Sequence, residues 1–113
     1  MKIDDLDNYS LQFTEKYQRY YHSSEAQLIK NATTEYELKK GTEILTSCGF
    51  LEISDYIIVN DQIIGIRIDY YDDNENKKSA EITLEKDANI RLTEGSGNIY
   101  RISDCNFKII KRK

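Results

Sequence analysis

Few side chains in this sequence are of a type and spacing that could carry covalent chemistry. Nucleophilic catalysis needs a Ser, Cys or Thr beside a base, most often a histidine. The only histidine is His22. It follows a tyrosine cluster at the end of a predicted helix, where a solvated ring is the ordinary outcome. The cysteines are Cys48 and Cys105. Neither belongs to a Cys-x-x-Cys pair and no His-x-x-x-His accompanies them, which argues against a zinc site. In a reducing compartment they are expected to stay unbridged and to pack as small apolar groups. Gly95-Ser96-Gly97 lacks the strand-to-helix setting of a phosphate loop and reads as a hairpin turn. No catalytic residue, cofactor or metal is therefore expected, and the chain reads as something other than an enzyme.

Binding chemistry is better represented. Asp69, Asp72, Asp73 and Glu75 place four carboxylates within seven residues at one predicted hairpin tip. They suit a basic partner. The regular ligand spacing and bidentate Glu of a calcium loop are missing, and Lys77 and Lys78 follow closely enough to offset part of the charge. The nine tyrosines are a second resource. On a helix Tyr17, Tyr20 and Tyr21 cannot all face a core, since adjacent residues diverge by about 100°, and exposed rings with a polar tip favour protein interfaces. A third set, Tyr100, Phe107, Lys108, Lys111, Arg112 and Lys113, combines aromatic and basic groups in the manner of a single-strand nucleic-acid binder. The simpler reading of that tail is a charged edge strand that discourages unwanted pairing.

These residues need elements to position them. Residues 5–22 read as an amphipathic helix: Leu6, Tyr9, Phe13, Tyr17, Tyr20 and Tyr21 recur at steps of three and four, with Asp4, Asp5 and Asp7 at its positive end. Residues 34–48 are ambiguous when taken alone, because Thr34-x-x-Glu37 resembles a helix capping box. An internal repeat resolves them. Residues 35–44 align without a gap on residues 81–90, sharing Glu, Leu, Lys and Ile at matching places, and each copy runs on to an Ile-Ser-Asp string, at 53–55 and at 102–104. Between the strings the second copy is three residues longer, at Glu94-Gly95-Ser96-Gly97. The second copy alternates as strands do, so Tyr36 to Leu38 is expected to be strand, Lys39 to Thr42 turn and Glu43 to Thr46 strand.

The clearest local signal is a hairpin. Tyr56-Ile57-Ile58-Val59 and Gln62-Ile63-Ile64-Gly65-Ile66-Arg67-Ile68 flank Asn60-Asp61, two residues that tolerate the positive φ of a primed turn. That turn sets Val59 opposite Gln62, Ile58 opposite Ile63 and Ile57 opposite Ile64. The expected core face is Ile57, Val59, Ile64, Ile66, Ile68 and Tyr70. Asp55 and Asp104 would each end a strand in a turn or bulge. Two further short strands follow, over 98–102 and 106–110. The fold class expected is thus mainly β with one N-terminal helix (α+β): a compact antiparallel barrel or sandwich of about eight short strands. It forms one domain over 1–113, with similar halves at 34–71 and 78–113.

Size and charge narrow the function. A chain of 113 residues can bury about 65% of its unfolded surface. The net charge of −4 disfavours non-specific nucleic-acid binding. No run approaches the roughly 20 apolar residues of a membrane helix, and the first residues carry no signal-like apolar region. A cytoplasmic location is expected, with no membrane association. The richness in Ile, Lys, Asn and Tyr resembles the bias of AT-rich genomes, common in low-GC bacteria and their phages. The reading these features favour is a non-enzymatic protein-binding module, of the type of small inhibitors and immunity or anti-defence proteins of mobile elements. Its partner would meet Tyr17, Tyr20, Tyr21 and the acidic tip, and it would act by steric occlusion. The alternatives are a small nucleic-acid-binding β-barrel and a secreted or cell-surface β module lacking its signal.

Overall fold

A computed structural model describes residues 6–21, 27–72, 75–97 and 99–112. A 3-10 turn, Leu6–Asn8, leads into β1 (Tyr9–Tyr21), β2 (Gln27–Glu37), β3 (Glu43–Thr46), β4 (Gly49–Val59), β5 (Gln62–Tyr71), β6 (Lys77–Thr83), β7 (Ala88–Ser96) and β8 (Ile99–Lys111). They form two four-stranded antiparallel sheets, in the orders β2-β1-β8-β7 and β3-β4-β5-β6. One apolar core drawn from both sheets lies between them, so the architecture is a sandwich.

The expected N-terminal helix is a strand. Tyr9, Leu11 and Phe13 are buried in sequence alternation, and Glu15 continues the same face. Period two brings these side chains to one face of a strand, and β1 pairs along its whole length with β8. Phe13 lies directly opposite Phe107, their rings stacked with centroids 4.9 Å apart. Tyr36 of β2 tilts against Phe13 at 6.3 Å.

The first string of the repeat marks the two corners where the chain changes sheets. β2 ends one sheet and β3 begins the other; β6 and β7 make the reverse passage. Leu38 is buried at the first corner and Leu84 packs against the core at the second. Ile44 and Ile90 then lie on the next strand's buried face. At the first corner, Gly41 N–H donates to Ile53 O at 2.8 Å and Ile53 N–H to Thr42 O at 2.9 Å, extending the pairing of β3 with β4. The Ile-Ser-Asp strings are not equivalent. Ile53 is buried where Ile102 is half-buried, and Ser103 is buried where Ser54 is half-buried. The longer second copy lengthens its hairpin arms: β7 has nine residues where β3 has four. Residues 98–102 and 106–110 do not make two strands, because β8 runs through Asp104 unbroken. β8 lies between β1 and β7 only as far as Phe107; from Lys108 on it pairs with β1 alone, so its basic end does lie on a sheet edge.

The β4–β5 hairpin turns at Asn60-Asp61 with φ of 51° and 62°, and its first pairs, Val59 with Gln62 and Ile58 with Ile63, are those expected. Ile57 then faces Gly65 instead of Ile64. One extra residue sits in β5 at Ile64, and a compensating one sits in β4 at Ser54, where the register passes from Ile53–Ile68 to Asp55–Arg67. Each bulge reverses the inward parity. Tyr56 and Ile63 therefore pack against the core, Val59 is exposed, and only Ile66, Ile68 and Tyr70 of the expected face keep their place against it. Gly65 allows the close approach of β6: a Cβ there would lie 2.2 Å from the Ile82 carbonyl oxygen.

Candidate functional site

The outer face of the sheet β3-β4-β5-β6 carries an apolar row that the fold leaves uncovered. Leu45 of β3 and Phe50 of β4 are direct cross-strand partners. Continuing the pairing of Glu52 with Asp69 outward by two residues on each strand brings Phe50 beside Tyr71 of β5. Leu45 is 60% exposed, Phe50 65% and Tyr71 62%. Their strand neighbours Ile44, Leu51 and Tyr70 face the core, so alternation leaves these three no inward option. Isolated exposed apolar residues are normal, but three adjacent ones on neighbouring strands make a patch.

Beside that row runs a row of carboxylates. Glu43 faces Glu52, and Glu52 faces Asp69. Like charges directly opposite on a sheet cost stability. The cost is offset on one side only within the sheet: Lys77 reaches Asp69 at 3.2 Å, and Ser79 and Ser54 donate to the same Asp69 oxygen at 2.7 and 3.0 Å. The Ser79 hydroxyl chiefly, then Lys77 and Ser54, hold the Asp69 carboxyl below its ordinary value against the opposing effect of burial. Asp69 is thereby a pin across β4, β5 and β6 more than part of the hairpin tip.

At the tip itself, Asp72 organises its own loop. Its carboxylate accepts the Asn76 amide at 2.8 Å, and Lys78 lies 3.7 Å away. Glu75 is exposed with φ of 62°, and Asp73 lies outside the described residues. A cleft of about 450 Å³ joins this tip to the other sheet, between Tyr71, Asp72 and Glu75 on one side and Thr93, Glu94, Gly95 and Tyr100 on the other, with Cys48 among its walls. The Tyr100 ring lies over its pair partner Gly95, where a Cβ would meet it at 2.7 Å. Glu94 is held by Arg101 at 2.6 Å.

The remaining expected residues are dispersed. Tyr17 and Tyr20 of β1 are half-buried and fall on opposite faces of the strand; the Tyr20 hydroxyl donates to Gln18. Tyr21 ends β1, and its side chain lies outside what is described, as do His22 and Lys113. The strand therefore does not bring Tyr17 and Tyr20 to one face as a helix was expected to. The aromatic-basic set is also divided. Phe107 is fully buried against Phe13 and cannot stack on a base. Lys108 faces Asp87 at 3.9 Å, Lys111 lies opposite Tyr9, and the Arg112 amide donates to Asn8 O at 2.8 Å. Of its two aromatic rings only Tyr100 is exposed, and it lies beside carboxylates, away from the exposed Lys111 and Arg112.

Between the sheets lies a polar group that sequence reading missed. Glu15 is buried, and one of its carboxylate oxygens accepts from the Ser103 hydroxyl and, at 2.8 Å, from the Ser47 amide of the β3–β4 turn. Ser103 also contacts Cys105 Sγ at 3.3 Å. Burial pushes the Cys105 thiol from 9.0 up to about 12, so it stays protonated at neutral pH and is a poor nucleophile. The geometry is that of a clamp between sheets. Among the described residues no group of three or more His, Cys, Asp or Glu is placed to hold a metal ion, and no helix is long and apolar enough to cross a membrane. Compared with known proteins, the chain matches no family model, no curated protein and no solved structure.

Proposed function

We propose that this protein is a non-enzymatic binding module that covers a basic, partly apolar surface of another protein and blocks it sterically. The observation that supports this most is the pairing of two rows on one outer face: Leu45, Phe50 and Tyr71 beside Glu43, Glu52 and Asp69. Exposed apolar residues beside like charge that Lys77 relieves only at Asp69's side cost the isolated fold stability, and a partner that buries the first and neutralises the second would recover it. Aromatic anchors slow release, and carboxylates at the rim speed encounter with a cationic target. An inhibitor of the immunity or anti-defence kind, working in the cytoplasm, is the class this reading leads to. The test is affinity capture from the source cells with the wild type and with Phe50→Ser. Phe50 is solvent-facing, so the variant keeps its fold by circular dichroism. A discrete partner held by the wild type, reduced about tenfold or more by the variant as for a buried aromatic anchor, supports the proposal. A partner held equally by both removes this face from it.

A further inference from the structure

The cleft at the end of the apolar row differs from the row in one respect: it opens between two aromatic rings. Tyr71 enters from β5 and Tyr100 from β8, so the two sheets contribute one ring each. Tyr71 is 62% and Tyr100 42% exposed, although both line a concavity. The carboxylates of Asp72, Glu75 and Glu94 share the rim. Lys78 pairs with the half-buried Asp72 at 3.7 Å and Arg101 with the exposed Glu94, and ion pairs open to solvent on at least one side hold weakly. Gly95 leaves room for the Tyr100 ring, which a Cβ there would meet at 2.7 Å.

Two tyrosine side chains with carboxylates at the rim suit one kind of side chain. A guanidinium is planar, stacks on aromatic faces, carries a fixed fork of donors for carboxylates and sheds water more readily than an ammonium. The volume of about 450 Å³ lies within the roughly 300–1,000 Å³ of ordinary ligand clefts. We infer that this cleft receives an arginine side chain of the protein partner, laid between Tyr71 and Tyr100 and held by Glu75 with its neighbouring carboxylates. The inference rests on the protein-binding reading and adds to it the residue type that anchors the partner. It places the aromatic contribution at Tyr71 and Tyr100 instead of Tyr17, Tyr20 and Tyr21.

The test is an amide-resolved NMR titration of the full chain with the peptide acetyl-Gly-Arg-Gly-amide. The same peptide with citrulline in place of arginine keeps the shape and removes the charge, and one with lysine keeps the charge and removes the plane. The expected result is saturable shifts at Tyr71, Glu75, Thr93, Gly95 and Tyr100 with the arginine peptide. Binding should be about tenfold weaker for citrulline and intermediate for lysine, as the loss of a cation–π and charge-assisted contact implies. Tyr100→Ala should weaken the arginine peptide similarly. Glu75→Gln, at an exposed loop position that does not threaten the fold, should weaken it several-fold and flatten its salt dependence. Equal binding of the arginine and citrulline peptides, shifts centred elsewhere, or affinity unchanged in Glu75→Gln would overturn the inference. Capture of a partner that depends on Phe50 while the arginine peptide fails would leave the protein-binding reading standing and this cleft outside it.

Discussion

Glu15 is a carboxylate sealed between two sheets, and its partners decide whether that is tolerable. A buried charge without hydrogen bonds is expensive, but here one oxygen gathers the Ser103 hydroxyl of its own sheet and the Ser47 amide of the opposite one. Glu15→Ala would leave both donors facing an apolar gap. The expected loss is about 1–3 kcal/mol in urea unfolding, and Glu15→Gln, whose amide oxygen still accepts, should lose less. Its neighbour Cys105 makes a pH prediction. The folded thiol titrates near 12 and its reference value is 9.0. Between those values the unfolded chain has released a proton that the folded chain retains, so stability falls as pH rises through that window. Unfolding of wild type and Cys105→Ala compared from pH 8 upward should show the wild type losing more stability per pH unit above about 9. Parallel curves would mean the thiol is not buried as described.

At the scale of elements, the outer carboxylate row separates stability from function. Glu52 stands between Glu43 and Asp69 on adjacent strands. Removing its charge with Glu52→Gln should raise stability by about 0.2–1 kcal/mol, the usual size of a cross-strand charge effect, and should slow association with the partner. A variant that is less stable would show that Glu52 serves the fold. The elements also differ in how openly the sequence announced them. The β4–β5 turn was legible because Asn60-Asp61 permits one geometry between two apolar runs, and the corners were legible because Leu38 and Leu84 recur at matching places. β1 was not. Tyr9, Phe13 and Tyr17 are four residues apart, a spacing that satisfies a helical stripe and strand parity alike. Leu11 breaks the tie: it falls off the helical stripe but on the strand face, and it is fully buried. The alternation of Tyr9, Leu11 and Phe13 with Ser10, Gln12 and Thr14 was the available signal. The bulge at Ser54 was foreshadowed by Asp55, where a turn or bulge was expected, but the one at Ile64 had no such signal, since any residue can be the extra one; they turned Val59 out and Ile63 in. The candidate site fared likewise. Asp72 and Glu75 were visible as a charged tip, but Leu45, Phe50 and Tyr71 become a row only once three strands are in register.

At the scale of the whole molecule, the two sheets are displaced along one another. Glu15, midway along β1, meets the β3–β4 turn at one end of its sheet, while the Tyr56 hydroxyl, farther along β4, accepts the Lys40 amide at the first corner, 3.0 Å away. The β1–β8 pairing continues beyond the first level to Tyr21, and β4 and β5 continue beyond the second to Asn60-Asp61. The result is an elongated body, 53 × 30 × 20 Å, whose broad outer faces are unlike each other. One bears the apolar and acidic rows. The other bears Thr14, Lys16, Asp104 and Asn106 along its middle, with half-buried Ile102 and Ile110 and the exposed Tyr100 toward its ends. That asymmetry is what the account predicts of a protein that meets its partner on one side, and a photo-crosslinking amino acid reads it directly. Placed at Phe50 or at Thr14 in the otherwise unchanged chain and irradiated in the source cells, it should give one discrete heavier adduct from position 50 and none from position 14. Equal adducts from both positions, or an adduct from Thr14 alone, would contradict the assignment of this face.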